Sequence, residues 1–172
     1  MFAYDNTMKR TIICILLWTL VIGWMGTLVY MSAQPADVSG RMSGNVLRDF
    51  YDNADENTVD KERFDKDLFV RANQGKLRRM AHLLTFGVLG ILSASASLYT
   101  FGRSVKGYSF PFVIAIMYSI IDELIQLAAP GRAFEWEDLC RDAIGSISGI
   151  LFIYIVLLIK DRIDNRCKSK RS

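Results

Sequence analysis

The stretch Ile120–Gly145 reads IIDELIQLAAPGRAFEWEDLCRDAIG and joins the end of one apolar segment to the start of the next. Asp122, Glu123 and Gln126 interrupt the first segment at positions where a membrane helix is normally apolar. The Pro-Gly pair that follows predicts a break, because proline cannot continue the helical hydrogen-bond ladder and glycine accepts a tight turn. Ionisable side chains at membrane depth are costly, so this stretch marks a candidate functional site.

The apolar residues of the chain gather into four long blocks, and the charged residues lie between the blocks. Hydrophobic residues make up 51% of the sequence, and a bilayer core needs roughly 20 apolar residues per helix. We therefore predict an all-α integral membrane protein, a four-helix bundle in one domain over residues 1–172, with an external helical or loop segment between spans one and two. The spans are expected at about 11–31, 80–102, 108–129 and 143–159.

The first apolar block has an alternative interpretation as a secretory signal. Lys9 and Arg10 precede it, and Met31-Ser32-Ala33 is a poor cleavage site. The apolar region of a signal is only about 7–15 residues long, whereas this block is longer, which favours an uncleaved helix.

Residues 32–79 form the predicted external segment. Ser32–Gly44 is rich in small and polar residues and is expected to be a loop, whereas Val46, Leu47 and Phe50 can share one apolar helical face. The segment is then a small helical cap or a helix lying on the membrane surface. A solvated, partly disordered loop is the alternative.

The distribution of basic residues predicts the orientation. The tail at 160–172 carries six Lys or Arg residues against two acids, and Lys or Arg residues near span ends favour the cytoplasmic side. Four spans bring both termini to the same side. We expect both termini in the cytoplasm and residues 32–79 outside.

Composition excludes several function classes. The formal net charge of +3 and the lack of a basic stripe with interleaved aromatics argue against nucleic-acid binding. Cys14, Cys140 and Cys167 are scattered, so no pair is placed for a disulfide or a metal. The chain has one histidine and no HExxH motif. We therefore expect no metal and no cofactor.

A set of polar residues is predicted to lie at a similar depth near the external interface. Asp122 and Gln126 share a helix face at i, i+4, and Asp138 shares one with Asp142. The set can be a buried ion network that fixes helix packing, or a pocket for a lipid headgroup or a lipid-linked glycan. A hydrolase that uses His82 with Asp122 or Glu123 as acid and base, or a proton pathway, are further alternatives. The candidate ligand-binding residues are His82, Asp122, Glu123, Gln126, Arg132, Asp138 and Asp142.

Several ordered motifs resemble the VanZ-like family of small bacterial membrane proteins. They are MSAQPADVSGRMSG after the first span, KLRRMAHLLTFGVLG at the entry to the second, and then DELIQ, PGR, and ED followed by an apolar helix with DAIGSISG. The family pattern often has asparagine four residues after the loop aspartate, where this chain has Asp142.

The resemblance implies a four-span protein of the bacterial plasma membrane. The family takes its name from reduced susceptibility to teicoplanin-type glycopeptides, and no accepted catalytic mechanism comes with it. By analogy, His82, Asp122, Glu123, Gln126, Arg132 and Asp138 are the family's signature positions.

We therefore expect a polar pocket at the external interface that binds a cell-envelope ligand. Membrane lipids are the expected partners, with a lipid headgroup, a lipid-linked cell-wall precursor or a glycopeptide as the ligand. Oligomers through small-residue helix faces are compatible with the sequence. A membrane-embedded hydrolase acting on a lipid carrier, or a structural partner of another envelope protein, are the alternatives.

Overall fold

The computed structural model describes residues 2–54 and 65–169, with side chains for 7–54 and 65–168. Within these residues the chain forms five α-helices and no strand. The helices are α1 (Phe2–Ser32), α2 (Ala36–Asn53), α3 (Lys66–Phe101), α4 (Val105–Ala128) and α5 (Trp136–Ser169).

Four of these helices are long and apolar enough to cross a membrane. The most apolar windows have a mean hydropathy of 2.3 in α1, 1.6 in α3 and in α4, and 2.2 in α5. The predicted all-α fold with four spans is thus confirmed. Helix α3 has 36 residues, a length of about 54 Å at about 1.5 Å per residue, whereas the bilayer core is only about 30 Å thick. It therefore extends well beyond its apolar stretch.

Helix α2 lies between the first and second spans and packs on the first turns of α3. Leu47 and Val70 are buried where the two helices meet, and the Phe69 ring stacks on Phe50 at a centroid distance of 6.3 Å. The helical form of the predicted external segment is therefore present, although residues 55–64 lie outside the described part. The loop predicted for Ser32–Gly44 is wrong over most of its length, because α1 ends at Ser32 and α2 already begins at Ala36.

Proline at position 111 lies inside α4 and leaves one carbonyl without its helical donor. A proline has no N–H to donate to the carbonyl four residues earlier, which here belongs to Gly107. The Ser97 hydroxyl of α3 donates to this oxygen at 3.0 Å. A backbone group freed inside the membrane is thereby satisfied by a neighbouring helix, as the apolar environment requires.

Helices α3 and α5 approach each other closely along a row of glycines. A Cβ atom added at Gly90, Gly145 or Gly149 would collide with backbone atoms of the facing helix. The small-residue spacing of Gly145 and Gly149 predicts such packing. Because α3 carries His82 and α5 carries Asp142, this contact sets the distance between two candidate site residues.

The bundle has two chemically different ends. One end carries α2, the C-terminal ends of α1 and α4, and the start of α5, and we call it the polar end. The other end carries the start of α1 and the end of α5, where Arg103 pairs with Asp161. This contact with the Asp161 carboxylate raises the pKa of Arg103.

Candidate functional site

The connection from α4 to α5 turns back over the polar end. Helix α4 ends at Ala128, and Gly131 adopts a φ of 74°, a conformation that disfavours other residues. The Pro130 carbonyl accepts a hydrogen bond from the Ala36 amide at 3.1 Å. This bond ties the connection to the start of α2 and holds Arg132 above the end of α4.

A chain of hydrogen bonds links α1, α4 and this connection. The Ser32 hydroxyl donates to Asp122 Oδ1 at 2.6 Å, and Gln126 Nε2 donates to Asp122 Oδ2 at 2.8 Å. Gln126 Oε1 in turn accepts from Arg132 at 3.0 Å. Asp122 is fully buried, and protein donors inside the bundle satisfy both of its oxygens.

His82 meets Asp142 across the α3–α5 contact. Its Nδ1 lies 3.0 Å from Asp142 Oδ1, and the histidine side chain is 17% exposed whereas Asp142 is 0% exposed. Asp142 Oδ2 is buried without a hydrogen-bond partner. Asp142 thus contributes a second buried carboxylate beside Asp122.

The other two predicted acids bond elsewhere. Glu123 is 1% exposed and accepts a hydrogen bond from the Glu135 amide at 2.6 Å on Oε1, while its Oε2 has no partner. Asp138 pairs with Arg141 one turn along α5. No described contact joins His82 to Glu123.

The structure thus brings His82, Asp122, Gln126, Arg132 and Asp142 into one cluster, with Glu123 and Asp138 at its edge. Sequence reasoning missed Ser32 as a member. Its only signal was a hydroxyl in the last turn of the first span, because nothing in the sequence fixes which face of α1 meets α4.

Two neighbouring spaces open beside this cluster. A cavity of about 80 Å³ is bounded by residues of α1, α2, α3 and α4 together with Arg132. An apolar groove of about 250 Å³ lies between α1, α2 and α3. The two spaces share four lining residues, Met31, Ser39, Arg78 and Ala81.

Two arginines face the cavity without an acidic partner. Within the described residues, neither Arg78 nor Arg132 forms an ion pair, and Arg132 Nε is buried with no hydrogen bond. Burial lowers the pKa of Arg132 and repulsion from Arg78 lowers it further, although the carboxylates of Asp122, Asp138 and Glu123 act in the opposite direction. An anion in this cavity would relieve both effects, because it would oppose two like charges in a partly desolvated place.

Comparison with known proteins identifies the family. The family model described as VanZ/LLP1 matches residues 17–158, most of the chain. The chain belongs to the VanZ/LLP1 family. No curated protein and no solved structure matches it.

Family membership agrees with the resemblance carried by the sequence motifs. The matched region begins within α1, includes α3 and α4 in full, ends within α5 and contains every candidate residue from His82 to Asp142. The protein is therefore a VanZ-family multi-pass membrane protein, with the polar cluster and both spaces inside the family region.

Proposed function

We propose that the protein binds an amphiphile of the bacterial cell envelope that carries an anionic, phosphate-bearing head. The observation that carries this proposal is the junction of the cavity and the apolar groove at Met31, Ser39, Arg78 and Ala81. A phosphate would enter the cavity and the hydrocarbon chain would lie in the groove. Few soluble metabolites need both environments, whereas a lipid or a lipid-linked precursor does.

The residues of the cavity suit this head. Arg132 and Arg78 supply guanidinium groups, which bind phosphate oxygens with two directed hydrogen bonds each. His82 lines the same cavity and, as the imidazolium with both ring nitrogens protonated, adds a further donor. Ser39 offers a hydroxyl at the junction, where a glycerol or sugar group next to the phosphate would lie.

The groove suits a hydrocarbon chain. Met42 and Val46 of α2 and Leu77 of α3 line it with Met31 and Ala81. Met42 and Val46 are exposed in the isolated chain, and methionine adapts readily to flexible apolar ligands. With the termini in the cytoplasm, as the basic tail favours, this site would open toward the outer leaflet of the plasma membrane.

We expect the protein to bind phosphatidylglycerol and undecaprenyl phosphate more tightly than phosphatidylcholine. The substitution Arg132→Gln should lower the affinity for both anionic lipids about 10- to 100-fold. The loss corresponds to hydrogen bonds to a charged group of about 1.5–3 kcal/mol. Native mass spectrometry of the full chain in detergent measures this binding. Arg71→Gln is the matched control, because Arg71 lies seven residues before Arg78 on α3 and lines neither space.

Equal affinity for all three lipids, or an equal loss in Arg71→Gln and Arg132→Gln, would contradict the proposal.

The same spectra report whether the lipid is recovered with its head intact. Hydrolysis is a second candidate function, favoured by the 3.0 Å contact that orients His82 on Asp142, an arrangement typical of a general base. A cleaved head in wild type and an intact one in His82→Gln would support it.

We also expect expression in a sensitive Gram-positive host to raise the inhibitory concentration of teicoplanin more than that of vancomycin. Arg132→Ala and Glu123→Gln should lose this protection at equal membrane abundance, checked by blotting. The reason is that both residues shape the polar end, Arg132 through Gln126 and Glu123 through the Glu135 amide. Without protection from the wild type, the glycopeptide role would be rejected, whereas lipid binding is decided by the preceding experiment.

A further inference from the structure

Three helices bring metal-ligand side chains together at one point of the polar end. His82 of α3, Asp122 of α4 and Asp142 of α5 each place one ligand atom within 4.8 Å of the other two. The residues are separated by at least 20 positions in sequence, so only the folded bundle assembles them. The side chains of Asp122 and Asp142 are 0% exposed.

The charges around this point are unbalanced. Asp122, Glu123 and Asp142 are three buried carboxylates, and among described contacts His82 is the one cationic side chain that touches any of them. Arg132 reaches the amide of Gln126 instead of a carboxylate. Buried charges in proteins are normally paired with an opposite charge or coordinate a metal. Arg132 is near enough to attract Asp122 and Glu123 but forms no ion pair with either, so within the described residues only Asp142 of these three carboxylates has a cationic side chain in contact.

One ligand oxygen also lacks a partner. Asp142 uses Oδ1 for His82, and its Oδ2 is fully buried with no hydrogen bond. A buried carboxylate oxygen without a partner carries its full desolvation penalty, so native structures seldom retain one. A bound cation would be the missing partner of this oxygen.

We propose that a divalent transition-metal cation binds between His82, Asp122 and Asp142. One imidazole nitrogen and two carboxylate oxygens form a set that suits Zn²⁺, Mn²⁺ or Fe²⁺, whereas Mg²⁺ and Ca²⁺ prefer oxygen ligands alone. Ser32 and Gln126 already donate to Asp122, and such supporting bonds orient ligands in known metal sites. The single histidine argues against a metal when the sequence is read alone; the position of Asp142 beside it changes that balance.

The cation would add a positive charge beside the cavity that also contains His82 and Asp122. The cation would therefore strengthen the binding of an anionic lipid head in this cavity, but the binding of the cation itself does not depend on any lipid. The alternative that needs no metal is protonation of the carboxylates, which would neutralise the same buried charge.

The test uses the full chain in detergent, with any affinity tag removed. After chelator treatment, the protein is titrated with ZnCl₂, MnCl₂ or MgCl₂ and the bound metal is counted by elemental mass spectrometry. We expect one Zn²⁺ per chain, weaker Mn²⁺ and no retained Mg²⁺. His82→Gln and Asp142→Asn should each lower the affinity for Zn²⁺ at least about tenfold.

The control is Asp37→Asn, which makes the same chemical change on α2. The Asp37 side chain is 70% exposed, pairs with Arg41 at the surface and is not one of the three ligands. Its substitution should leave the Zn²⁺ affinity unchanged. Circular dichroism and gel filtration check that each variant is folded.

Zinc far below one equivalent in the wild type would overturn the proposal without reference to any variant, and would favour protonated carboxylates. Unchanged binding in folded His82→Gln and Asp142→Asn would also overturn it, since the metal would then lie elsewhere. Because no lipid is added, neither result bears on the lipid-binding proposal.

Discussion

Replacing Asp122 by alanine is expected to lower the free energy of unfolding by about 2–6 kcal/mol. The Ser32 hydroxyl and Gln126 Nε2 would both lose their acceptor, and a buried donor left unsatisfied costs about 1–3 kcal/mol. Thermal or denaturant unfolding of the detergent-solubilised chain, followed by circular dichroism, measures the change. Asp37→Ala is the control, because the Asp37 side chain is 70% exposed and its contact with Arg41 lies at the surface. It should change stability by less than about 0.5 kcal/mol.

A double-mutant cycle with Ser32→Ala separates the hydrogen bond from other effects of the substitution. Ser32→Ala alone is expected to cost about 1 kcal/mol, and much less in the Asp122→Ala background, where its acceptor is already gone. The opposing force is the desolvation cost of a buried carboxylate, which removal of Asp122 would abolish. If Asp122→Ala is as stable as the wild type, that desolvation cost outweighs both hydrogen bonds.

The fold follows from the sequence because its physical signal is strong and local. Four apolar blocks of membrane length leave few alternatives to spanning helices, since the backbone must satisfy its own hydrogen bonds in lipid. The start of α2 contradicts the sequence, which predicts a loop there. Its first residues are rich in glycine and serine, which disfavour an isolated helix, yet Gln74 donates to the Gly40 carbonyl at 2.6 Å. Small residues here permit close packing on α3, and that tertiary contact overrides the local preference.

The site was predictable within a helix and unpredictable between helices. The i, i+4 spacing of Asp122 and Gln126 predicts a pair, and the two side chains are 2.8 Å apart. The same spacing also places Asp138 beside Asp142, but Asp138 pairs with Arg141, so shared spacing did not become a contact. Which faces of α1, α3 and α5 turn toward α4 depends on how each helix is rotated about its own axis. The depth of a residue in the membrane, which the sequence predicts, does not determine that rotation.

The contact that sets this rotation for α3 and α5 gives the second large effect. Gly149→Ala is expected to lower the free energy of unfolding by about 1–3 kcal/mol, equivalent to roughly 2–12 °C in melting temperature. The added methyl group would collide with the Gly87 carbonyl oxygen and would lie 3.0 Å from the Gly87 carbonyl carbon and from the Ile91 amide nitrogen. Because all three are backbone atoms, none can rotate away, and the two helices must separate. Thermal unfolding in detergent measures the shift.

Gly23→Ala is the matched control, since the same methyl group is added to a membrane-spanning helix. No atom lies within 4 Å of a Cβ at Gly23, so this variant should only gain the higher helix propensity of alanine, up to about 1 kcal/mol. The two changes in the free energy of unfolding are therefore expected to have opposite signs, although both substitutions add the same methyl group. Separation of α3 from α5 would also pull His82 from Asp142, so Gly149→Ala should lose Zn²⁺ affinity while Gly23→Ala retains it. Equal stability of the two variants would mean that the helices move apart at little cost, and the glycine row would then not be what holds the site together.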